Sequence, residues 1–176
     1  MPLTVAIELN EKIEYSYLHR AFGLYQVKRF SLASRDINKF YELDTNDPFR
    51  ILWRYIINSQ LDPQKALIEL QNEPLGDSHY AWLFVDVVAG RLSEQELLAN
   101  ISKDIKTNKE LAERLCEAYF YLAHWHKLAG HLDKAIYYFK LSTTTGIHEF
   151  IEYKYALMEL ASIQKDLVGN AEVKVN

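Results

Sequence analysis

Apolar side chains recur along this chain at i, i+3, i+4 and i+7. The segment "EYSYLHRAFGLYQVKRF" (14–30) has this spacing, as do "SLASRDINKFYEL" (31–43) and most segments after them. That period lays one apolar stripe along an α-helix and predicts about nine helices of mostly 10 to 20 residues. The helix starts are marked. Asp62 precedes Pro63 and Asp47 precedes Pro48, each reading as an N-cap followed by a proline in the first turn. Ser93 with Glu96 and Thr107 with Glu110 have capping-box spacing, and Gly90 and Gly130 fall where helices should stop. No segment reads as a strand.

Consecutive short helices joined by polar turns call for a search at repeat length. The tetratricopeptide pattern has a period of about 34 residues. Large residues near positions 4, 7, 11 and 24 fill the space between two helices, and small residues at 8 and 20 let them approach. With position 1 at Cys116, Tyr119, Leu122, Ala123, His126, Gly130, Ala135, Phe139 and Ser142 occupy the expected slots. With position 1 at Glu14, Tyr17, Ala21, Leu24, Ala33, Ile37 and Phe40 do so, while Arg20 is a poor match at position 7. Cys116 lies 102 residues after Glu14, three periods on. The sequence therefore predicts an all-α, right-handed tetratricopeptide-repeat superhelix of about four helical pairs spanning 1–167. It has a partial repeat at 1–13, clear repeats at 14–47 and 116–149, and degenerate pairs within 48–115, near 48–71 and 78–103. A terminal helix at 147–167 and a polar tail at 168–176 complete it. Ala6 falls in the small slot of a second helix, so the chain is expected to begin inside a repeat of a longer protein, with apolar surface on residues 3 to 18 open to self-association.

Composition narrows the function. A hydrophobic fraction of 49%, a charged fraction of 25% and 12 tyrosines describe an ordinary globular chain. The net charge of −4 and the scattered basic residues argue against nucleic acid. One cysteine, Cys116, excludes an internal disulfide and a multi-cysteine zinc site. "MPLTVAIELNEK" has no basic start and no long apolar run, so it does not read as a signal peptide. "YAWLFVDVVAG" is too short to span a bilayer and is broken by Asp86.

Three histidines, His124, His126 and His131, crowd into "YFYLAHWHKLAGHLDKAIYYFKLS" (119–142). A helical metal site needs histidines four apart on one face. His124 and His126 diverge around the helix, His126 takes a packing slot and His131 follows the turn glycine. These are expected to be structural, with His124 a candidate for peptide contact. Cys116 has no base nominated beside it and is expected to be a buried small hydrophobe. Glu149 and Glu152, three apart, are expected to be a solvated helix edge rather than an acid/base pair. No phosphate loop, nucleophile elbow or H-E-x-x-H motif is present, and neither a cofactor nor a metal is expected.

The positive candidate is a concave groove. In this repeat class positions 2, 5, 9, 12 and 13 of the first helix face inward. In the first full unit these are Tyr15, Leu18, Phe22, Tyr25 and Gln26, and in the last they are Glu117, Phe120, His124, Lys127 and Leu128. Tyr15, Leu18, Phe22, Tyr25, Phe120, His124 and Lys127 are thus the predicted peptide-binding residues, with bulky side chains to anchor a protein partner. The competing expectation is that neighbouring helices or the terminal helix cover part of this face. No Lys-and-Asn clamp for a chain-terminal carboxylate stands at these positions.

The runs "NDPFRILWRY" (46–55), "AERLCEAYFYLAHWHKLAGHLDKAIYYFKLS" (112–142) and "HEFIEYKYALMEL" (148–160) resemble the C-terminal part of the NlpI tetratricopeptide lipoproteins of Gram-negative outer membranes. The resemblance covers about residues 6 to 167. It implies a non-enzymatic adaptor on the periplasmic face of the outer membrane, a homodimer. Such an adaptor brings a peptidoglycan endopeptidase to a tail-specific PDZ protease. The signal peptide, lipid-carrying cysteine and N-terminal repeats of that family are missing from this sequence. Two alternatives follow from the residues: a cytoplasmic tetratricopeptide module with an unrelated partner, and a cysteine- or histidine-dependent hydrolase.

Overall fold

The computed structural model describes residues 14–76 and 78–173, and among them every regular element is a helix. In chain order these are α1 (Glu14–Gln26), α2 (Phe30–Glu42), α3 (Pro48–Asn58), α4 (Pro63–Gln71), α5 (Trp82–Val88), α6 (Glu94–Asn100), α7 (Asn108–Leu128), α8 (Leu132–Thr144) and α9 (Ile151–Val173). The partial repeat expected over 1–13, with Ala6, lies outside the described residues.

The helix boundaries follow local chemistry. Asp47 accepts a bond from the Phe49 amide at 2.8 Å, and Asp62 from the Lys65 amide at 3.0 Å, each ahead of a proline in the first turn. Ser93 and Glu96 form the reciprocal capping box. Thr107 caps α7 through the Glu110 amide, but the Glu110 carboxylate turns back to the Lys106 amide and to Arg114 instead. Gly90 and Gly130 end their helices at φ 77° and 80°, where a side chain is strained.

The chain divides between Arg91 and Leu92 into two compact units. In the first, α1 and α2 form an antiparallel hairpin. Tyr15 meets Phe40, Arg20 meets Asp36 and Tyr25 meets Phe30, each pair moving inward toward the turn. Ala21 and Ala33 are fully buried, which is what lets the helix axes close. Arg20, the poor match of the sequence frame, grips Asp36 with both arms of its guanidinium at 2.5 and 2.6 Å. Helix α3 is the hub of this unit, packing on α1, α2, α4 and α5 and burying Arg50, Ile51, Leu52, Trp53, Ile56 and Ile57. Its two arginines serve the surroundings. Arg50 donates to the Phe40 carbonyl at 2.8 Å and pairs with Glu14 and Asp47. Arg54 pairs with Glu69 and Glu73 and lies over the Tyr41 ring.

In the second unit α7 and α8 form the corresponding hairpin, with Cys116 opposite Ser142, Tyr119 opposite Tyr138 and Phe120 opposite Phe139. Its turn repeats the first one at an offset of 102 residues. The Arg29 amide donates to the Leu24 carbonyl at 2.8 Å, and the His131 amide to the His126 carbonyl at 2.9 Å. Lys28 has φ 59° where Gly130 has φ 80°. The next helix opens from Arg29 at φ −90°, ψ 59° in one and from His131 at φ −88°, ψ 69° in the other. Ala123 and Ala135, like Ala21 and Ala33, are fully buried. Two stretches of different sequence thus build the same hairpin from small residues at the same slots.

The middle pairs depart from the repeat in length. α3 and α4 fall within the expected 48–71. α5 and α6 have seven residues each, and the division between units falls between them. The terminal helix begins later than expected, at Ile151 after a turn that buries Ile147. It continues through Gly169 into the segment read as a polar tail. A helical glycine costs only about 1 kcal/mol relative to alanine, too little to stop a helix already propagating.

Candidate interaction groove

The seven predicted contact residues separate into two situations. In the first unit Leu18 and Phe22 are each 1% exposed and Tyr25 is 6% exposed, so these three are closed core rather than groove. The cause is α3. Its Trp53 stands edge-on to Phe22 at 5.8 Å between ring centroids, and Phe22 in turn stacks on Tyr25 at 5.6 Å. The expectation of an open aromatic face at this hairpin is corrected accordingly. Tyr15, 59% exposed, is the member of the set that presents its ring to solvent.

In the second unit Phe120 and His124 are also buried, against Phe139 of α8 at 6.0 and 5.1 Å between centroids. Burial, and then the nearby Lys127 charge, hold the His124 ring well below its usual pKa, so it is neutral at pH 7. Lys127 is half-buried and donates to Glu159 of α9 at 2.5 Å. One turn and a half earlier on α7, the Tyr121 hydroxyl donates to Glu152 of α9 at 3.1 Å. The two contacts link residues 31 and 32 apart, so α9 runs parallel to α7, as the first helix of a following repeat would.

The buried face of α9 consists of Glu152, Tyr155, Ala156, Glu159 and Ile163, at i, i+3, i+4, i+7 and i+11. Two of five are acids, and Glu117 on α7 is a third buried carboxylate in this unit. Burial raises Glu152 to about 7, with its own backbone and the Tyr121 hydroxyl pulling the other way. The sequence reading of Glu149 and Glu152 as one solvated helix edge is corrected: Glu149 precedes the helix and is exposed, while Glu152 is inside it and buried. An acid at every seventh position within an otherwise apolar stripe was the signal available in "IEYKYALMELASI" for Glu152 and Glu159.

A second polar cluster lies at the other side of the hairpin. Glu94, at the start of α6, accepts from the Tyr138 hydroxyl at 2.5 Å and meets His126 Nε2 at 2.7 Å. Desolvation works against the Glu94 carboxylate, but these two bonds together with the electrostatic attraction of His126 and Lys134 outweigh it and leave its pKa lowered. The His126 and Tyr138 rings are parallel at 5.6 Å. This cluster fastens α6 to the hairpin and accounts for His126. His131 stands at the N-cap position of α8 with no side-chain cap bond and lines, with Gly130, Leu132, Asp133 and Lys134, an open recess of about 500 Å³ made from that single turn of chain. Cys116 is fully buried, its thiol 3.6 Å from Ser142 Oγ, and burial pushes its pKa up, away from thiolate chemistry. Among the described residues no three His, Cys, Asp or Glu side chains converge as metal ligands, and no helix is long and apolar enough to cross a membrane.

No protein-family model matches this chain.

Proposed function

We propose that this protein is a non-enzymatic interaction scaffold built as a right-handed tetratricopeptide superhelix. The observation that carries the reading is the congruence of the α1–α2 and α7–α8 hairpins at three repeat periods, down to the left-handed turn residue and the two buried alanines. By its resemblance to the NlpI lipoproteins, the scaffold joins a peptidoglycan endopeptidase to a tail-specific protease at the periplasmic face of the outer membrane. The test is direct. The purified chain, mixed with a peptidoglycan endopeptidase and a PDZ-containing tail-specific protease, is expected to co-elute with both from a size-exclusion column at micromolar concentration. Failure to bind either one rejects the adaptor reading and leaves a tetratricopeptide module with another, cytoplasmic, partner.

A further inference from the structure

Helix α9 stands where a next repeat would begin, and its slots can be read off α7. Cys116, Tyr119, Ala123 and His126 turn toward α8: Cys116 meets Ser142, Tyr119 and His126 lie against Tyr138, and Ala123 is fully buried. One period of about 34 residues later these slots hold Phe150, just ahead of the helix, then Tyr153, Leu157 and Leu160. The same spacing runs on through Gln164 and Leu167. Steps of three and four residues alternate throughout, which is the a and d seam of a coiled coil. Leu157, Gln164 and Leu167 are exposed, and Phe150, Tyr153 and Leu160 are only partly buried. From Gln164 to Gly169 every residue is exposed although the helix continues, so the last two seam positions stand clear of their surroundings. A helix face left to water is ordinarily polar, and this one is not.

Two observations decide what covers it. Both complete hairpins carry alanine at slot 8, Ala21 and Ala123, where the helix axes close. Helix α9 carries Leu157 there, so its seam is not cut for the second helix of such a hairpin. The seam is instead its own complement. Laid antiparallel on itself, it pairs each a position with a d position. Phe150 then meets Leu167 of the second copy, Tyr153 meets Gln164 and Leu157 meets Leu160, and each layer occurs twice. The one amide in the seam, Gln164, falls opposite the one hydroxyl, Tyr153. An apolar helix of another protein would leave that amide buried without a partner.

We propose that the open face of α9 is the seat of a second copy of this chain, joined as an antiparallel α9–α9 pair about a two-fold axis between Leu157 and Leu160. This rests on the repeat register of the scaffold reading and adds a self-association surface to it.

Sedimentation equilibrium of the full chain is expected to give a dimer at tens of micromolar. Leu157→Glu is expected to weaken that dimer at least tenfold while leaving the melt of the dilute chain unchanged. Met158→Glu, next to it and similarly exposed but off the seam, is expected to leave the dimer unaltered. Under mild oxidation, Leu157→Cys chains mixed with Leu160→Cys chains should form a mixed disulfide, as should Tyr153→Cys with Gln164→Cys. Cys116 is buried and does not compete. Should Leu157→Glu fail to melt cooperatively, Leu157→Ala takes its place with the same expectation. A monomer at every concentration, a dimer indifferent to Leu157→Glu, or one that Met158→Glu weakens as much, overturns the proposal. So does preferred crosslinking of Gln164→Cys chains to one another, because the helices then run parallel. If the endopeptidase and protease still co-elute with the unaltered chain after such a failure, the pair is removed and the scaffold reading is spared.

Discussion

The α1–α2 and α7–α8 hairpins share a backbone and differ in what seals their flanks. At position 7 and its partner across the hairpin, the first has Arg20 and Asp36 where the second has Leu122 and Tyr138, all inside or nearly so. At the inward-facing slot the first has Phe22 where the second has His124, both 1% exposed. The helix laid on the first hairpin, α3, brings Trp53, a run of aliphatic side chains and one buried cation, Arg50. The helix laid on the second, α9, brings two carboxylates. The difference teaches that the fold is set by a few small residues and a left-handed turn, while the lateral face is free to be oily or ionic.

The largest expected effect tests whether Arg20 and Asp36 really replace an apolar pair. Asp36→Ala removes the buried carboxylate that both arms of the half-buried Arg20 guanidinium grip and is expected to cost about 3–5 kcal/mol in a urea melt. The double variant Arg20→Leu with Asp36→Phe, which imports the apolar character of the second hairpin, is expected to recover most of that loss. A double variant as unstable as Asp36→Ala breaks the equivalence of the two hairpins.

Phe22→Ala is expected to lower stability by about 3–5 kcal/mol, because Trp53 and Tyr25 lose the ring that both pack against. Partner binding by the folded variant should be unaltered at 4 °C, since Phe22 is core. A normal melt with weakened binding would reopen the first hairpin as a contact surface.

The polar flank of the second unit gives a pH signature, with two slopes of opposite sign. Glu152 stands at about 7 folded against an ordinary 4.5. It therefore holds more proton folded than unfolded, and its stabilisation is present below pH 4.5 and lost as pH rises through 7. His124 is depressed from 6.5 by burial and then by Lys127. Its stabilisation is present above pH 6.5 and is lost as pH falls, because only the unfolded chain takes the proton. Between pH 4.5 and 6.5 the two oppose, so each shows best in the absence of the other. His124→Phe should lose stability as pH rises from 4.5 to 7, by about 3 kcal/mol in all. Glu152→Gln should instead lose stability as pH falls below 6.5. Melting curves of the two variants across pH 4 to 8 check both signs.

The smallest effect lies in the turns. Lys28 adopts the left-handed conformation that Gly130 adopts without penalty, and nothing crowds a Cβ at Gly130. Lys28→Gly should therefore stabilise by about 0.5–1 kcal/mol, and Gly130→Ala should destabilise by about 1 kcal/mol. Equal and negligible shifts would mean the two turns are not alike under stress.

The sequence was informative where backbone geometry leaves little choice. Ala21, Ala33, Ala123 and Ala135 sit where two helices touch, and a larger side chain there separates them, so the slots are written plainly in residue size. Asp47, Asp62 and Ser93 announced their helices because orphan amides need an acceptor within three residues. The lateral face was not legible in the same way. Phe22 as groove anchor and Phe22 as core give the same letter, and only Trp53, distant in sequence, decides between them. Arg20 looked like an exception until Asp36 was found opposite it, since a charge in a packing slot is explained by its partner and not by its own position. Glu152 and Glu159 carried the opposite ambiguity. Acids at helical spacing normally mark a solvated edge, and what turned them inward was Tyr121 and Lys127 on another helix.

The contrast between a mainly apolar flank and one with two buried acids is tested most directly by native-state hydrogen exchange on the unaltered chain. Residue-level opening free energies would be compared for Ile51–Ile57 in α3 and Tyr155–Ile163 in α9, each against the hairpin it covers. The account predicts that α3 opens with the α1–α2 hairpin as one cooperative block. It predicts that α9 opens separately, at a free energy at least about 1.4 kcal/mol below that of α7 and α8, a tenfold difference in the opening constant. Amides of α9 exchanging in step with those of α7 would contradict it.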